Sequence, residues 1–173
     1  YNMAHQTFFF SSVSGSTFNV QGATDTKFSP IDGAYNNFTL IATDSSTIYA
    51  TISNYTSSTA TPSYQKTFTV GSWSNSSGPD TSYSYRLGNK FLGKVSNYSS
   101  SGSTTLTLES HTSSSSNDYY NNCILTIVSG SGVGESRLIT DYNGSTKVAT
   151  LESSFSESPS TSSYYNISTT DVS

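Results

Sequence analysis

The stretch "GSGVGESRLITDYNGSTK", residues 130 to 147, collects the residue types that can do chemistry. Three glycines could cradle a phosphate, Glu135 and Arg137 stand two residues apart, and Lys147 closes the run. The spacing does not bear out a phosphate site. A dinucleotide loop needs G-x-G-x-x-G between a strand and a helix, and a P-loop needs Lys followed by Ser or Thr at a helix start. Here Gly130, Gly132 and Gly134 alternate, and "RLITDYNGSTKVATL" reads as strand, turn and strand. Asn143-Gly144 would supply the positive φ angles of a tight hairpin. The expectation is turn glycines and a solvated Glu/Arg pair.

Other catalytic sets are weaker still. The two histidines, His5 and His111, lie in polar segments, and no G-x-S-x-G elbow accompanies the many serines. The carboxylates Glu109, Asp118, Glu135, Asp141, Glu152 and Glu157 all fall in one half of the chain, and only Asp141 has a polar counterpart, Asn54, in the other. They read as surface acids rather than a glycosidase pair. Two distant histidines and Cys123, beside an apolar run, give no metal-ligand spacing. "SPIDGAYNN" lacks the D-x-D-x-D-G run of a calcium loop. No enzyme activity, metal or cofactor is expected.

Charge narrows the partners. Seven Lys and Arg, at 27, 66, 86, 90, 94, 137 and 147, in a chain of net charge −4 make no phosphate-tracking surface, so nucleic acid is not an expected partner. The longest apolar runs, "TFFF" and "CILTIV", are strand-sized and far short of the roughly 20 residues that span a bilayer, so no membrane insertion is expected. A start at Tyr1 fits a mature product that has lost a signal peptide, and equally a fragment. The lone Cys123 decides nothing about compartment.

The elements that would position these residues are strands. Of 173 residues, 40 are Ser and 25 Thr, and 13% are aromatic, which disordered chains lack. Thr, Tyr, Phe, Val and Ile suit a pleated surface, and Gly, Asn and Ser clusters punctuate it. The second half restates the first with a period near 85 residues. "AYNNFTLI" (34–41) answers "YYNNCILTI" (119–127), "ATISNYTSST" (50–59) answers "RLITDYNGST" (137–146), and "PDTSYSYRL" (79–87) answers "PSTSSYYNI" (159–167). Apolar residues alternate at Phe18/Val20, Phe38/Leu40, Ile48/Ala50/Ile52, Phe68/Val70 and Tyr83/Tyr85/Leu87, the period of half-buried strands. About six strands per copy, at 8 to 15-residue spacing, predict an all-β protein: two tandem antiparallel β-sandwich domains of immunoglobulin-like size, related by the repeat. The boundaries are 1–88, with an N-terminal arm, and 89–173.

The run "SGSGVGESRLITDYNGSTKVATLESSFSESPSTSSYYNI" (129–167) resembles a β-rich repeat of structural proteins in bacteriophage and large algal-virus particles, such as tail, fibre or capsid-decorating components. The first half joins this resemblance through the internal repeat, without the glycines and the arginine. The resemblance implies a structural surface role and brings no catalytic residues.

Three further sets of residues are candidates. Trp73 with Tyr83 and Tyr85 could form an aromatic platform for sugar rings, the alternative of a carbohydrate-binding or adhesion module. Six N-x-S/T sequons, at Asn37, Asn54, Asn75, Asn97, Asn143 and Asn166, could carry covalent glycans. With so many hydroxyl residues, chance alone supplies about five sequons; Asn54, Asn75 and Asn143 are read in turns, where a glycan is tolerated. Phe8, Phe9 and Phe10 cannot all face one side of a strand, so the segment reads as an arm docking on a neighbouring subunit or as the first strand of its own domain. The functional expectation is a structural subunit of an extracellular, cell-surface or virion-surface glycoprotein assembly whose partner is itself, as a fibre or filament.

Overall fold

The computed structural model describes residues 7–20, 28–58, 65–75 and 77–169. The chain divides into two compact units, Tyr1–Asn89 and Lys90–Ser173. The described residues form twelve strands and no helix, hence none long and apolar enough to cross a membrane. In the first unit these are β1 (Ser12–Ser14), β2 (Thr17–Val20), β3 (Phe38–Thr43), β4 (Thr47–Ser57), β5 (Lys66–Val70) and β6 (Ser84–Lys90). In the second they are β7 (Gly93–Lys94), β8 (Thr105–Thr107), β9 (Cys123–Ser129), β10 (Ser136–Asn143), β11 (Val148–Leu151) and β12 (Tyr164–Thr169).

Each unit is one six-stranded antiparallel sheet, ordered β1-β2-β5-β4-β3-β6 in the first and β7-β12-β9-β10-β11-β8 in the second. Read in opposite directions, the two orders share the five-strand path β2-β5-β4-β3-β6 and β8-β11-β10-β9-β12. The sheet folds into two layers because one strand serves both. The first half of β4 pairs with β3 through Thr51, and after a bulge between Ile52 and Asn54 the second half pairs with β5. A strand changes layer in β10 at the corresponding place, between Ile139 and Asp141. The extra residue bends the strand and increases its twist, which lets one continuous ladder turn a corner.

The opposite edges are joined by the segment that contains the first strand of each unit, 8–14 and 93–97. Phe8 exchanges two 2.9 Å backbone hydrogen bonds with Tyr85 of β6, while Ser12–Ser14 pair with β2. In the second unit Gly93 and Lys94 lie on β12, and Asn97 bridges Thr107 of β8. The sandwich is therefore closed on both sides, with the edge strands paired rather than left as templates for another chain.

Alternation supplies the interior. Phe10, Phe18, Phe28, Tyr35, Leu40, Ala50, Ile52, Tyr55, Phe68, Trp73 and Tyr85 belong to one buried cluster. Leu106, Leu108, Tyr120, Leu125, Ile127, Ile139, Tyr142, Leu151, Phe155 and Tyr165 belong to the other. Each fully buried aromatic or aliphatic side chain contributes about 1.5–3 kcal/mol.

Two local expectations are corrected. Asn54 lies within β4, not in a turn. The connection from β10 to β11 is not the two-residue Asn-Gly turn: four residues separate the strands, and the positive φ falls on Lys147 (62°), not on Asn143 or Gly144. The Asn143 side chain sets this geometry, because its Oδ1 accepts from the N–H of Ser145 (3.0 Å) and of Thr146 (3.1 Å). Such a side-chain-capped turn offers the backbone a longer loop in place of the tight hairpin.

Candidate functional site

The opening glycine stretch is a clamp that holds one loop onto another. Gly130 and Gly132 have φ of +82° and +84°, and a Cβ on them would lie 2.8 Å from Ser163 Cα and 2.9 Å from the Glu157 carbonyl oxygen. They are glycines because loop 152–163 passes directly over the β9–β10 connection. Hydroxyls stitch the approach: Ser131 Oγ donates to the Ser158 carbonyl (2.7 Å) and Ser163 Oγ to the Ser131 carbonyl (2.7 Å).

Glu135 and Arg137 complete the clamp, and they are not the solvated pair expected from the sequence. Their side chains are 20% and 17% exposed and meet at 2.8 Å. Glu135 accepts the N–H of Glu157 (2.7 Å) and of Ser156 (2.8 Å), one on each carboxylate oxygen. Those two backbone donors, with Arg137 adding to them, hold the Glu135 carboxyl below the usual carboxylate range. Arg137 also donates from Nε to the Ser154 carbonyl (2.9 Å) and lies 5.1 Å from the centre of the Phe155 ring. Arg137 Nε and both Glu135 oxygens are thus engaged in fixing the loop after β11, while Arg137 Nη1 donates to the Ser136 carbonyl of its own strand (2.7 Å).

A second device appears in both units and was not read from the sequence. Tyr55 donates its hydroxyl to the Ser29 carbonyl (2.6 Å), while the Ser29 N–H donates to the Tyr35 hydroxyl (2.8 Å). In the second unit Tyr142 donates to the Ser114 carbonyl (2.6 Å), and the Ser114 N–H donates to Tyr120 (3.0 Å). Each tyrosine pair has its rings 4.7 Å apart at 77°. Two edge-on tyrosines therefore pin one serine backbone from both sides, satisfying groups of a loop that has no strand to pair with. Burial pushes the Tyr120 phenol up to about 12 and raises Tyr142 further. Lys147 adds to the second lock by donating to the carbonyls of Ser113 (3.1 Å) and Ser114 (3.2 Å). The available signal was the tyrosines themselves, which recur in "AYNN" and "YYNN" and in "SNYT" and "TDYN".

The remaining candidates are dispersed. Trp73 is 8% exposed and Tyr85 1%, both inside the first core, with Tyr83 half-buried against it, so the three present no platform to a sugar. Phe10 is buried in its own unit, and Phe8 packs on the same core at 4.9 Å from Phe28; Phe9 alone faces outward, 63% exposed. These residues precede β1, with Phe8 bridging Tyr85 and Phe8 and Phe10 packed on the core of their own unit. Asn37, Asn54, Asn97 and Asn143 are exposed, whereas Asn75 and Asn166 are half-buried. His111 is exposed and His5 lies outside the described residues. Among the described residues no three His, Cys, Asp or Glu come together to hold a metal ion. Cys123 is half-buried, and burial raises its thiol pKa, which disfavours the reactive thiolate.

No family model, curated protein or solved structure matches the chain.

Proposed function

We propose that this chain is a structural subunit of an extracellular or virion-surface assembly, a fibre or filament built from copies of itself. The observation that carries the reading is the duplicated, edge-closed sandwich with the same tyrosine lock in each copy. Its most chemically equipped stretch, around Glu135 and Arg137, is spent on holding a loop. Polar groups already committed to internal hydrogen bonds rigidify a module and leave little for a substrate. A rigid module repeated along a chain is suited to carrying load or spacing, and a head-to-tail contact that does not close propagates into a filament. Exposed sequons at Asn37, Asn54, Asn97 and Asn143 would place glycans on the outside of such an assembly.

Sedimentation velocity over a hundredfold range of protein concentration tests this. A distribution that shifts to large species as concentration rises supports the reading; a single monomer boundary throughout would overturn it.

A further inference from the structure

Of the chain's asparagines, only Asn143 is followed by glycine. That dipeptide is the one most prone to closing on itself, because a glycine nitrogen has no neighbouring Cβ to hinder its attack on the preceding carboxamide. The fold needs both residues where they stand. Asn143 caps the turn after β10. Gly144 is buried where the loop at Ser115 crosses it, and a Cβ there would overlap the Ser115 carbonyl and lie 2.7 Å from the Ser116 carbonyl carbon. The first unit has Thr56 and Ser57 at this place, opposite Thr67 and Lys66 of β5, and so holds no such amide.

The electrophile is set up for attack. Three donors converge on Asn143 Oδ1: the Ser145 N–H (3.0 Å), the Ser145 hydroxyl (2.8 Å) and the Thr146 N–H (3.1 Å). Donors aimed at a carbonyl oxygen stabilise the negative charge that grows on it when a nucleophile adds to its carbon. Asn143 is also exposed, so water reaches it. The nucleophile, by contrast, is withheld, because the Gly144 N–H donates to Asn117 Oδ1 (2.9 Å). Attack requires this nitrogen to lose its proton, and the resulting anion would face the oxygen lone pairs of Asn117 at a buried position, which is costly. Both units use the same grip, since Asp32 Oδ1 accepts the Ser57 N–H (2.8 Å). Only in the second does it lie across a reactive pair.

We propose that Asn143-Gly144 is a self-modification site of the second unit, and that the Asn117 side chain keeps it closed while the turn is folded. When the turn opens, Gly144 N gives its proton to solvent base and bonds to Asn143 Cγ; the Cγ–Nδ2 bond breaks, and Nδ2 takes up a proton and leaves as ammonia. Water then opens the succinimide at either carbonyl, giving aspartate or isoaspartate. Isoaspartate lengthens the main chain by one carbon between 143 and 144, where Ser115 leaves no room. The product therefore displaces loop 113–117, whose Ser114 carbonyl the Tyr142 lock holds. An opening of the turn is recorded irreversibly, in one unit of the two.

The test uses the unglycosylated full chain in mildly alkaline buffer, with peptide mapping for isoaspartate and nuclear magnetic resonance for exchange of the Gly144 amide hydrogen. Expected is modification at Asn143 at least about tenfold slower in the folded chain than in guanidinium chloride, and slowed in the same proportion as Gly144 exchange, since both require the same opening. Asn117→Ala, shown to be folded by circular dichroism, should move the rate towards the unfolded value; Asn117→Asp, which keeps an oxygen acceptor, should leave it near wild type. Equal rates in the folded and unfolded chain overturn the proposal. So does a folded Asn117→Ala modified as slowly as wild type, or an Asn117→Asp modified as fast as Asn117→Ala. A Gly144 amide that exchanges freely while Asn143 stays intact overturns it as well, and this arm needs no variant to fold.

Discussion

The two units reach one topology with different interiors. The first is aromatic: Phe68 lies within 6.4 Å, ring centre to ring centre, of Phe8, Phe10, Phe28, Tyr35 and Tyr55. The second places Ala149 opposite Leu106 where the first has Phe68 opposite Phe18, and fills its layers with Leu106, Leu108, Leu125, Ile127, Ile139 and Leu151. Cores tolerate wholesale hydrophobic exchange when volume and pattern persist. What does not change is the tyrosine lock, the bulge in the layer-switching strand, and the closing first strand. The difference teaches that these devices define the fold, while the side chains filling it are negotiable. The Glu135–Arg137 clamp belongs with the negotiable features, since Ile48 and Ala50 stand at the corresponding positions of the first unit.

The largest expected effect breaks the comparison at its widest point. Phe68→Ala should cost the first unit about 3–5 kcal/mol, because the surrounding rings cannot all collapse into the space. The reciprocal Ala149→Phe should overpack the second unit by about 1–3 kcal/mol. Urea unfolding read by near-ultraviolet circular dichroism measures both; effects of equal size would mean the interiors do not differ as described.

Removing one hydroxyl sharpens the comparison instead. Tyr55→Phe leaves the Ser29 carbonyl without its tyrosine donor, and Tyr142→Phe takes the same donor from Ser114. Each should cost about 1–3 kcal/mol, with Tyr142→Phe at the lower end because Lys147 Nζ still donates to the Ser114 carbonyl. A large loss in one and none in the other would show that the locks are not equivalent.

The alternating pattern made the strands legible from sequence, because burial of Phe18, Leu40, Ile52, Phe68 and Tyr85 needs only local periodicity. The repeat made the shared topology legible through blocks in the same order. The lock was not, since Tyr55 and Ser29 are 26 residues apart and the acceptor is a backbone carbonyl, which any residue could supply. Ring closure was hidden for a similar reason: residues 8–14 pair with two different strands, and nothing in "FFFSSVS" marks where one partner ends. In the clamp, the glycines were legible as turn residues, but the close approach of loop 152–163 that requires Gly130 and Gly132 is a tertiary fact.

Alkaline titration separates buried from exposed phenols. Tyr85, Tyr142 and Tyr165 have their pKa raised by burial, and Tyr120 is pushed up to about 12. A folded value above the unfolded one, near 10, means that the unfolded chain releases the proton first. The stabilisation is complete below about pH 10 and is lost as pH rises through the folded values. Phenolate absorbance should therefore appear in two stages, the second coinciding with loss of structure. A single transition near pH 10 with the fold retained would contradict the burial of these hydroxyls.

The smallest effect concerns the clamp. Because Glu135 is held below its ordinary value, its contribution is present above the unfolded carboxylate pKa and disappears as pH falls through the folded one. Glu135→Gln should flatten the acid limb of the second unit's stability profile and leave the Tyr142 lock in place. An unchanged acid limb would mean the carboxylate does not hold the loop.

The most direct test of the central claim, that the chain is one tyrosine-locked, edge-closed module built twice, is to express residues 1–89 and 90–173 separately. Each half should give a β-type spectrum and a cooperative urea transition of its own, with Tyr120 and Tyr142 of the second half protected from titration near pH 10. If either half is unfolded alone, or melts without cooperativity, the closed ring is not a self-sufficient unit and the account of the molecule as a duplicated module fails.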